Sequence, residues 1–403
     1  MIAFEEEYDV VVCGGGVAGI AAALQAARRG CKTALVEKTI MPGGLATSGI
    51  ILLYLPLCDG NGTQVTFGIV EELLRLSIRY GPGKVPAGWR QARNATEEGR
   101  YSLCFSPASF VLALDEALSE AGVYVWLDSL VAGVIMEGRQ ITGVEVETKG
   151  GRGCLRAECV VDATGGADVA YRAGAPCVEG GNILSIWALQ ASLETARKAV
   201  QKGTAEPLID LVSLGDDWEG LMEAVALHRR PGTDPQSVTE FVLDGRRLLR
   251  EHFAEKQHAA GDDGRSKIYP LLLPSMAQFR MTRHIVGRTT MTDGQHGRHV
   301  ADSIGLYADW RKPGFVWEAS YGALLPEGIE GLLVAGRCIA AEGDAWDVMR
   351  VIPAAALTGQ AAGMAAALAV ERRTVPGDLP PDAVQQALRS LGVPCHLPEI
   401  YGK

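Results

Sequence analysis

Short apolar runs alternate with Ala-rich or amphipathic stretches along this chain, a rhythm that predicts an α/β protein. Asp9–Cys13 (DVVVC) is apolar enough for a buried strand, and the Ala-rich stretch ending near Arg29 has the length of a helix. Thr33–Val36 (TALV) predicts a second strand, ending on Glu37. A loop and an apolar stretch then lead to a helix from about Gly68 to Tyr80, and the Gly/Pro/Arg-rich residues 81–100 predict a surface loop. Ser106–Ala121 is an amphipathic helix with a Ser-Pro start. VYVWL (123–127), LVAGVIME (130–137), QITGVEVET (140–148) and CLRAECVV (154–161) alternate as strands do, giving a third parallel strand and an antiparallel meander. Further on, helices are expected near Ser185–Lys202, Trp218–His228 and Thr239–His258, with strand-like pieces around Ile268–Leu273. GIEGLLVAGR (328–337) is a short apolar strand, Val351–Val370 a long uncharged helix, and Asp382–Leu391 a final short helix.

Three glycines spaced G-x-G-x-x-G (Gly14, Gly16 and Gly19) sit between the first strand and the first helix. That placement is what a dinucleotide demands. Gly14 makes the tight turn, Gly16 lets the backbone approach a pyrophosphate, and Gly19 lets the helix lie close on the sheet. Val17 and Ala18 open that helix, whose free N–H groups and dipole favour phosphate charge. Glu37, followed by Lys38, stands where a carboxylate accepts ribose hydroxyls, which disfavours a 2′-phosphate and hence NADP.

The 403 residues suffice for two lobes, and a formal net charge of −10 with only isolated Arg pairs argues against nucleic-acid binding. The acidic start, MIAFEEEYD, reads as neither signal nor transit peptide. Nine scattered cysteines without a CxxC fit reduced thiols in a cytoplasm, and their spacing suits neither zinc nor an iron–sulfur cluster. Val351–Val370 has about the length of a membrane span. It is mostly Ala and Gly, with Pro353, Thr358 and Gln360 inside, so a buried helix against a ligand is expected and no membrane span.

The glycine turn, the GG loop after Glu37, the strand end VVDATGGADVA (160–170) and LLVAGR followed by a neutral helix occur in this order. Together they resemble the two-dinucleotide-binding-domain, glutathione-reductase-like flavoproteins. Within that superfamily the chain is similar to the FAD-dependent oxidoreductase family, whose relatives include fumarate reductase and succinate dehydrogenase flavoproteins. The resemblance implies a Rossmann-like FAD-binding domain, three-layered with a parallel sheet plus a β-meander, and an inserted substrate or cap domain. Its expected parts are residues 1–181 and 321–375, with the cap at 182–320 and a helical tail at 376–403. By position, Gly14, Gly16, Gly19 and Glu37 would hold the ADP half of non-covalent FAD. Gly43, Gly44, Leu45 and Ala46 would run past the pyrophosphate, and Val131 would meet the adenine. Ala163, Thr164 and Gly165 would close the site, with Gly336 and Arg337 near the ribityl chain. The helix start at Ile352–Ala355 would point at the flavin N1/O2 edge, where reduction places negative charge.

Disulfide-reductase chemistry needs two cysteines just after the GG loop, and PGGLATSGII has none. No second glycine fingerprint for NAD(P)H appears, so the electron partner is left open among substrate, dioxygen, a quinone and a protein. No histidine precedes His228, which removes the histidine linkage of the fumarate reductase relatives. GDAW (343–346) reads as a loop. The densest polar cluster is FRMTRHIVG: Arg280, Arg283 and His284 share a face if it is helical, and Arg280 and His284 alone do so in a strand. Arginines there suit a substrate carboxylate, and His284 suits proton transfer beside hydride transfer; an interlobe ion-pair cluster is the other reading. Arg350 and Tyr321 are further candidates for catalysis. His296 and His299 read as solvated loop residues, and no metal site is expected. The leading expectation is an FAD-dependent oxidoreductase passing hydride between a small organic substrate and flavin N5. The alternatives are an FAD monooxygenase and a flavoprotein subunit of an electron-transfer complex or a non-redox flavoprotein.

Overall fold

The computed structural model describes residues 2–84, 102–215 and 230–402. Most of the expected loop at 81–100 and all of the expected helix Trp218–His228 lie outside these residues. The first half runs β1 (Phe4–Cys13), α1 (Val17–Arg28), β2 (Thr33–Val36), α2 (Ile69–Ser77), α3 (Pro107–Glu120), β3 (Tyr124–Trp126), β4 (Leu130–Glu137), β5 (Gln140–Thr148) and β6 (Gly151–Asp162). There follow β7 (Cys177–Glu179), β8 (Ser185–Ser192), α4 (Leu193–Lys202), β9 (Asp210–Gly215), α5 (Pro235–Ala259), β10 (Ile268–Leu272) and β11 (Arg283–Ile285). The chain ends with β12 (Ser303–Ala308), β13 (Val316–Ser320), β14 (Leu332–Val334), α6 (Gly343–Met349), α7 (Ile352–Arg372), α8 (Pro381–Ser390) and a short C-terminal helix.

Val10–Cys13 are fully buried because β1 is central. It pairs in parallel with β2 on one side (Val10 with Thr33) and β6 on the other (Val10 with Cys159). β3 extends the sheet beyond β2, and β14 pairs in parallel with Val160–Asp162 at the end of β6. β6 is long because it serves twice: its first half also pairs antiparallel with β5 of the meander. The carboxyl ends of five parallel strands therefore meet at one edge, and the order reverses beside β1. Ligands of open α/β sheets bind at such a switch point.

α7 lies directly on α1. A Cβ on Gly359 or Gly363 would drive into the backbone carbonyl of Ala18 or Ala22. This close approach explains the run of Ala and Gly that makes α7 look like a span; its window is buried in the protein. Gln360 is satisfied inside: its amide donates to Gln25 Oε1 (3.0 Å) and its carbonyl accepts from Ile69 N (3.1 Å).

A second, smaller core holds Ile186, Ala188, Val212, Leu249 and Phe253. Here β8 is flanked by β9 and β10, and α5 covers the sheet. Ser185–Ser192 is thus a strand where a helix was expected, since alternate residues enter this core and both edges find partners. FRMTRHIVG is strand only at Arg283–Ile285, pairing with β7, which leaves Arg280 in an irregular segment. GDAW is the start of α6 rather than a loop. The hairpin β12–β13 packs with the main core, although its residues fall inside the expected cap segment.

Gly363→Val is expected to lower stability by about 1–3 kcal/mol, because helices this close have no room for a branched side chain. Urea unfolding followed by circular dichroism measures it; an unchanged midpoint would show that α1 and α7 can separate freely.

Candidate functional site

A crevice with about 1150 Å³ of non-protein space, mouth included, opens at the carboxyl ends of the parallel strands. Gly14 adopts φ +100°, and a Cβ there would stand 2.6 Å from the Ala163 carbonyl oxygen. Gly16 caps α1 with extended backbone, and a Cβ on it would meet nothing within 4 Å, since it faces the crevice. Gly19 is not in the crevice wall: a Cβ there would strike the Gly14 carbonyl, so it closes the turn from behind. Val17 and Ala18 line the crevice beside the turn.

Glu37 is buried and fixed by three donors. Gly15 N donates to its Oε2 at 2.8 Å, and Thr39 N and Oγ1 both donate to its Oε1 at 2.8 Å. Carboxylate oxygens accept more than one bond each, so acceptor capacity is left toward the crevice. Lys38, Ser129 and Val131 continue this end of the wall. The GG loop is laid against the glycine turn: Gly43 N donates to Gly15 O (2.7 Å), and a Cβ on Gly44 would come 3.0 Å from Gly16 Cα. Both glycines have positive φ, +106° and +56°. Leu45, Ala46 and Ser48 carry the wall onward.

Ala163, Thr164 and Gly165 form the opposite wall. Their turn is organised by Asp162, whose buried carboxylate accepts from Thr164 N and Oγ1, Val169 N and Ala170 N. Burial raises its pKa against the effect of those donors. Arg337 lies over Gly165 and donates to its carbonyl at 2.7 Å. Gly336, at φ +81°, donates its N–H to Thr358 Oγ1 (3.0 Å) on α7. Ile352 and Ala355, in the first turn of α7, line the same end of the crevice. Ala355 N donates to Val351 O (2.8 Å), and the amides before it are the ones without an acceptor in their own helix.

Guanidinium groups gather at this end. Arg350 lines the crevice, stacks over Trp346, and donates through Nε (3.1 Å) and Nη2 (2.7 Å) to Asp347 Oδ1. Arg311 holds the other oxygen of Asp347 at 2.8 Å and also pairs with Asp309 and Asp344. Arg280, which is not in the crevice wall, donates to the Gln278 carbonyl and to Ser185 Oγ, both neutral. Burial, then the charges of Arg350 and Arg337, push its guanidinium down to about 9. Burial likewise lowers Arg337 and Arg350. An anion among these groups would offset their repulsion.

Of the four residues expected in catalysis, only Arg350 lines the crevice. Arg283 pairs with Asp168 (2.8 Å), donates to Gly166 O (3.1 Å) and stacks on Tyr171, so it braces the wall turn from outside. His284 is buried with Nδ1 3.1 Å from the Ile285 carbonyl. Tyr321 is buried and donates to the Pro376 carbonyl (2.8 Å), and burial raises its pKa. The Tyr321 ring belongs to the main core, and neither ring lines the crevice. Thr39, Ser48, Asp168 and Met276 also line the crevice and were not foreseen. A hydroxyl two residues after the acid was a legible signal for Thr39. Met276 carried none: its loop reaches the crevice because Ser275 N donates to Ser48 O (2.9 Å) and Gln278 bonds the Gly49 carbonyl.

A family model described as FAD dependent oxidoreductase matches residues 9–186 and 188–388. The chain belongs to the FAD-dependent oxidoreductase family. The family's cofactor is FAD, and the glycine turn, the fixed Glu37 and the small-residue walls suit that group. Digeranylgeranylglycerophospholipid reductase of Thermoplasma acidophilum is 31% identical over 160 residues, 40% of either chain. The first curated relatives are thus matched over about 40% of their length. L-aspartate oxidase of Mycobacterium tuberculosis is 25% identical over 317 residues, 68% of this chain and 60% of that one. Among solved structures, a geranylgeranyl bacteriochlorophyll reductase-like protein of Thermoplasma acidophilum aligns with TM-score 0.48 and 16% identity, covering 96% of this chain and 83% of that one.

Glu37→Ala is expected to weaken FAD binding by roughly 10- to 100-fold, as charge-assisted hydrogen bonds are worth about 1.5–3 kcal/mol. Quenching of flavin fluorescence on titration with apoprotein reads this directly. Equal affinity in the variant would remove Glu37 from the binding site.

Proposed function

We propose that this FAD-dependent oxidoreductase transfers hydride between FAD and a small organic substrate bearing a carboxylate. The observation that carries the reading is the pair Arg337 and Arg350 in the wall of the crevice beside the first turn of α7, with the guanidinium of Arg280, bonded to neutral partners, near enough to feel their charge. When bound, FAD supplies the two-electron chemistry. The protein positions and polarises. Gly14, Gly16, Gly43 and Gly44 admit the pyrophosphate, Glu37 accepts the ribose, and Val131 borders the adenine. Ala163–Gly165, Gly336 and Arg337 flank the middle of the crevice, and the first turn of α7 favours negative charge near Ile352 and Ala355. Arg350 orients the substrate carboxylate, because a planar guanidinium binds a carboxylate through two parallel bonds.

Arg350 is itself held. Asp347 fixes its guanidinium, and Arg311 fixes Asp347. Its orientation is therefore set before substrate arrives, which lowers the ordering cost of binding. Met276 and the loop around it place cap residues at the same end, so the substrate would enter between the cap and the crevice. The cytoplasmic location expected from unpaired thiols belongs to the same reading; the nine cysteines are free.

An anaerobic screen of small carboxylic acids and their methyl esters should find acids that bleach the flavin band near ~450 nm and esters that do not. Arg350→Met is expected to lower kcat/KM for such an acid about 100-fold with FAD content unchanged, since removing one partner of a buried charge contact costs about 2–5 kcal/mol. Equal bleaching by acid and ester would end the carboxylate assignment.

A further inference from the structure

We infer that His299, Glu318 and His396 form a binding site for one divalent transition-metal ion of the zinc type. These residues come from the loop before β12, from β13, and from the segment entering the C-terminal helix Leu397–Tyr401. None of them lines the FAD crevice. Their ligand atoms all lie within 4.8 Å of one another. Nδ1 of His396 is 2.9 Å and Nδ1 of His299 3.6 Å from the same Glu318 oxygen, Oε2. The centroids of the two rings are 4.6 Å apart, with the ring planes tilted by 43°. Zinc bonds to imidazole and carboxylate are about 2.0–2.2 Å, so tetrahedral ligands stand about 3.4 Å from one another. The observed N···O distances bracket that value.

The carboxylate is prepared for this. Glu318 is fully buried in its side chain, and backbone amides aim it: Val300 N donates to Oε2 and Leu397 N to Oε1, both at 2.8 Å. A buried carboxylate retains its charge only with such partners, and a cation is its strongest one. The His299 side chain is 66% exposed, which gives an ion a path in and a water the fourth position. Two imidazoles and one carboxylate without a thiolate suit Zn²⁺, Ni²⁺ or Cu²⁺ and disfavour Cu(I).

Bound there, the ion is a clasp. Leu397 and Ile400 of the C-terminal segment pack on the small core of Val65, Leu306, Ala308 and Val316. Ser303 Oγ bonds the Cys395 carbonyl, Tyr401 bonds Asp59, Arg389 pairs with Glu399, and Leu397 N already bonds Glu318 of β13. Metal binding would add a tie from the segment to the loop of His299.

The test uses FAD-loaded protein carrying Cys104→Ser, because Cys104 is the exposed thiol and would bind zinc on its own. After dialysis against a chelator, calorimetric titration with Zn²⁺ should show one equivalent, and the Tm should rise with zinc concentration and fall back on adding chelator. His299→Ala should weaken zinc at least tenfold and abolish the Tm rise, while the metal-free Tm and the flavin spectrum stay as they were. His296→Ala, on the same loop with its ring on Phe315, should bind as the parent does. No uptake, or the same affinity in His299→Ala as in the parent, would overturn the assignment; so would loss of zinc in His296→Ala alone.

Discussion

The approach of bare backbone to bare backbone around the N-terminus of α1 sets everything else in this protein. Gly14 sits against Ala163, Gly44 against Gly16, and Gly359 of α7 against Ala18. Each contact is possible only without a Cβ, and each brings a different element to the same few residues. The β6 turn, the GG loop and the late helix thereby become walls of one crevice. A Cβ at Gly14 or Gly359 would stand 2.6 Å or less from a backbone oxygen and force the wall to shift, and one at Gly44 would press on Gly16 Cα at 3.0 Å. Packed interiors do not absorb that without moving the neighbours.

This is also why so much of the nucleotide half was legible from sequence. The glycine spacing, the acid after β2, the Ser106 cap of α3 and the alternation of the meander are local signals, each with a local physical cause. The Ala/Gly content of α7 was legible too, because only small residues permit the contact with α1. Distant partners were not. Ser185–Ser192 is a strand because β9 and β10 lie on either side of it, and nothing within those eight residues announces that. His284 and Tyr321 have side chains suited to chemistry, yet their burial depends on what the rest of the chain packs around them. Met276 reaches the crevice because Ser275 N and the Gln278 side-chain amide donate to the carbonyls of Ser48 and Gly49, more than two hundred residues earlier. Glu318 is the same lesson in reverse: a glutamate in a five-residue strand acquires two histidines only through tertiary structure.

The charge pattern completes the argument. The chain as a whole is acidic, with a formal net charge of −10. A carboxylate approaching from afar would meet repulsion. That field is screened beyond about 8 Å at physiological ionic strength, so the groups at the crevice decide what enters. There the balance is reversed. Arg337 and Arg350 line the end nearest α7, whose first turn adds the positive end of a dipole, and Arg280 lies near enough for their charges to act on it. Asp347 offsets part of this charge, but it also serves Arg311. The low dielectric that makes three guanidiniums costly together is the same condition that strengthens their attraction for an anion. The cost is borne in the absence of ligand and relieved when a negatively charged group arrives, so the site favours the filled state over the empty one. The energy for that preference is supplied by the surrounding core, which holds the arginines in place through Asp347, Gln278, Ser185 and the Gly165 carbonyl.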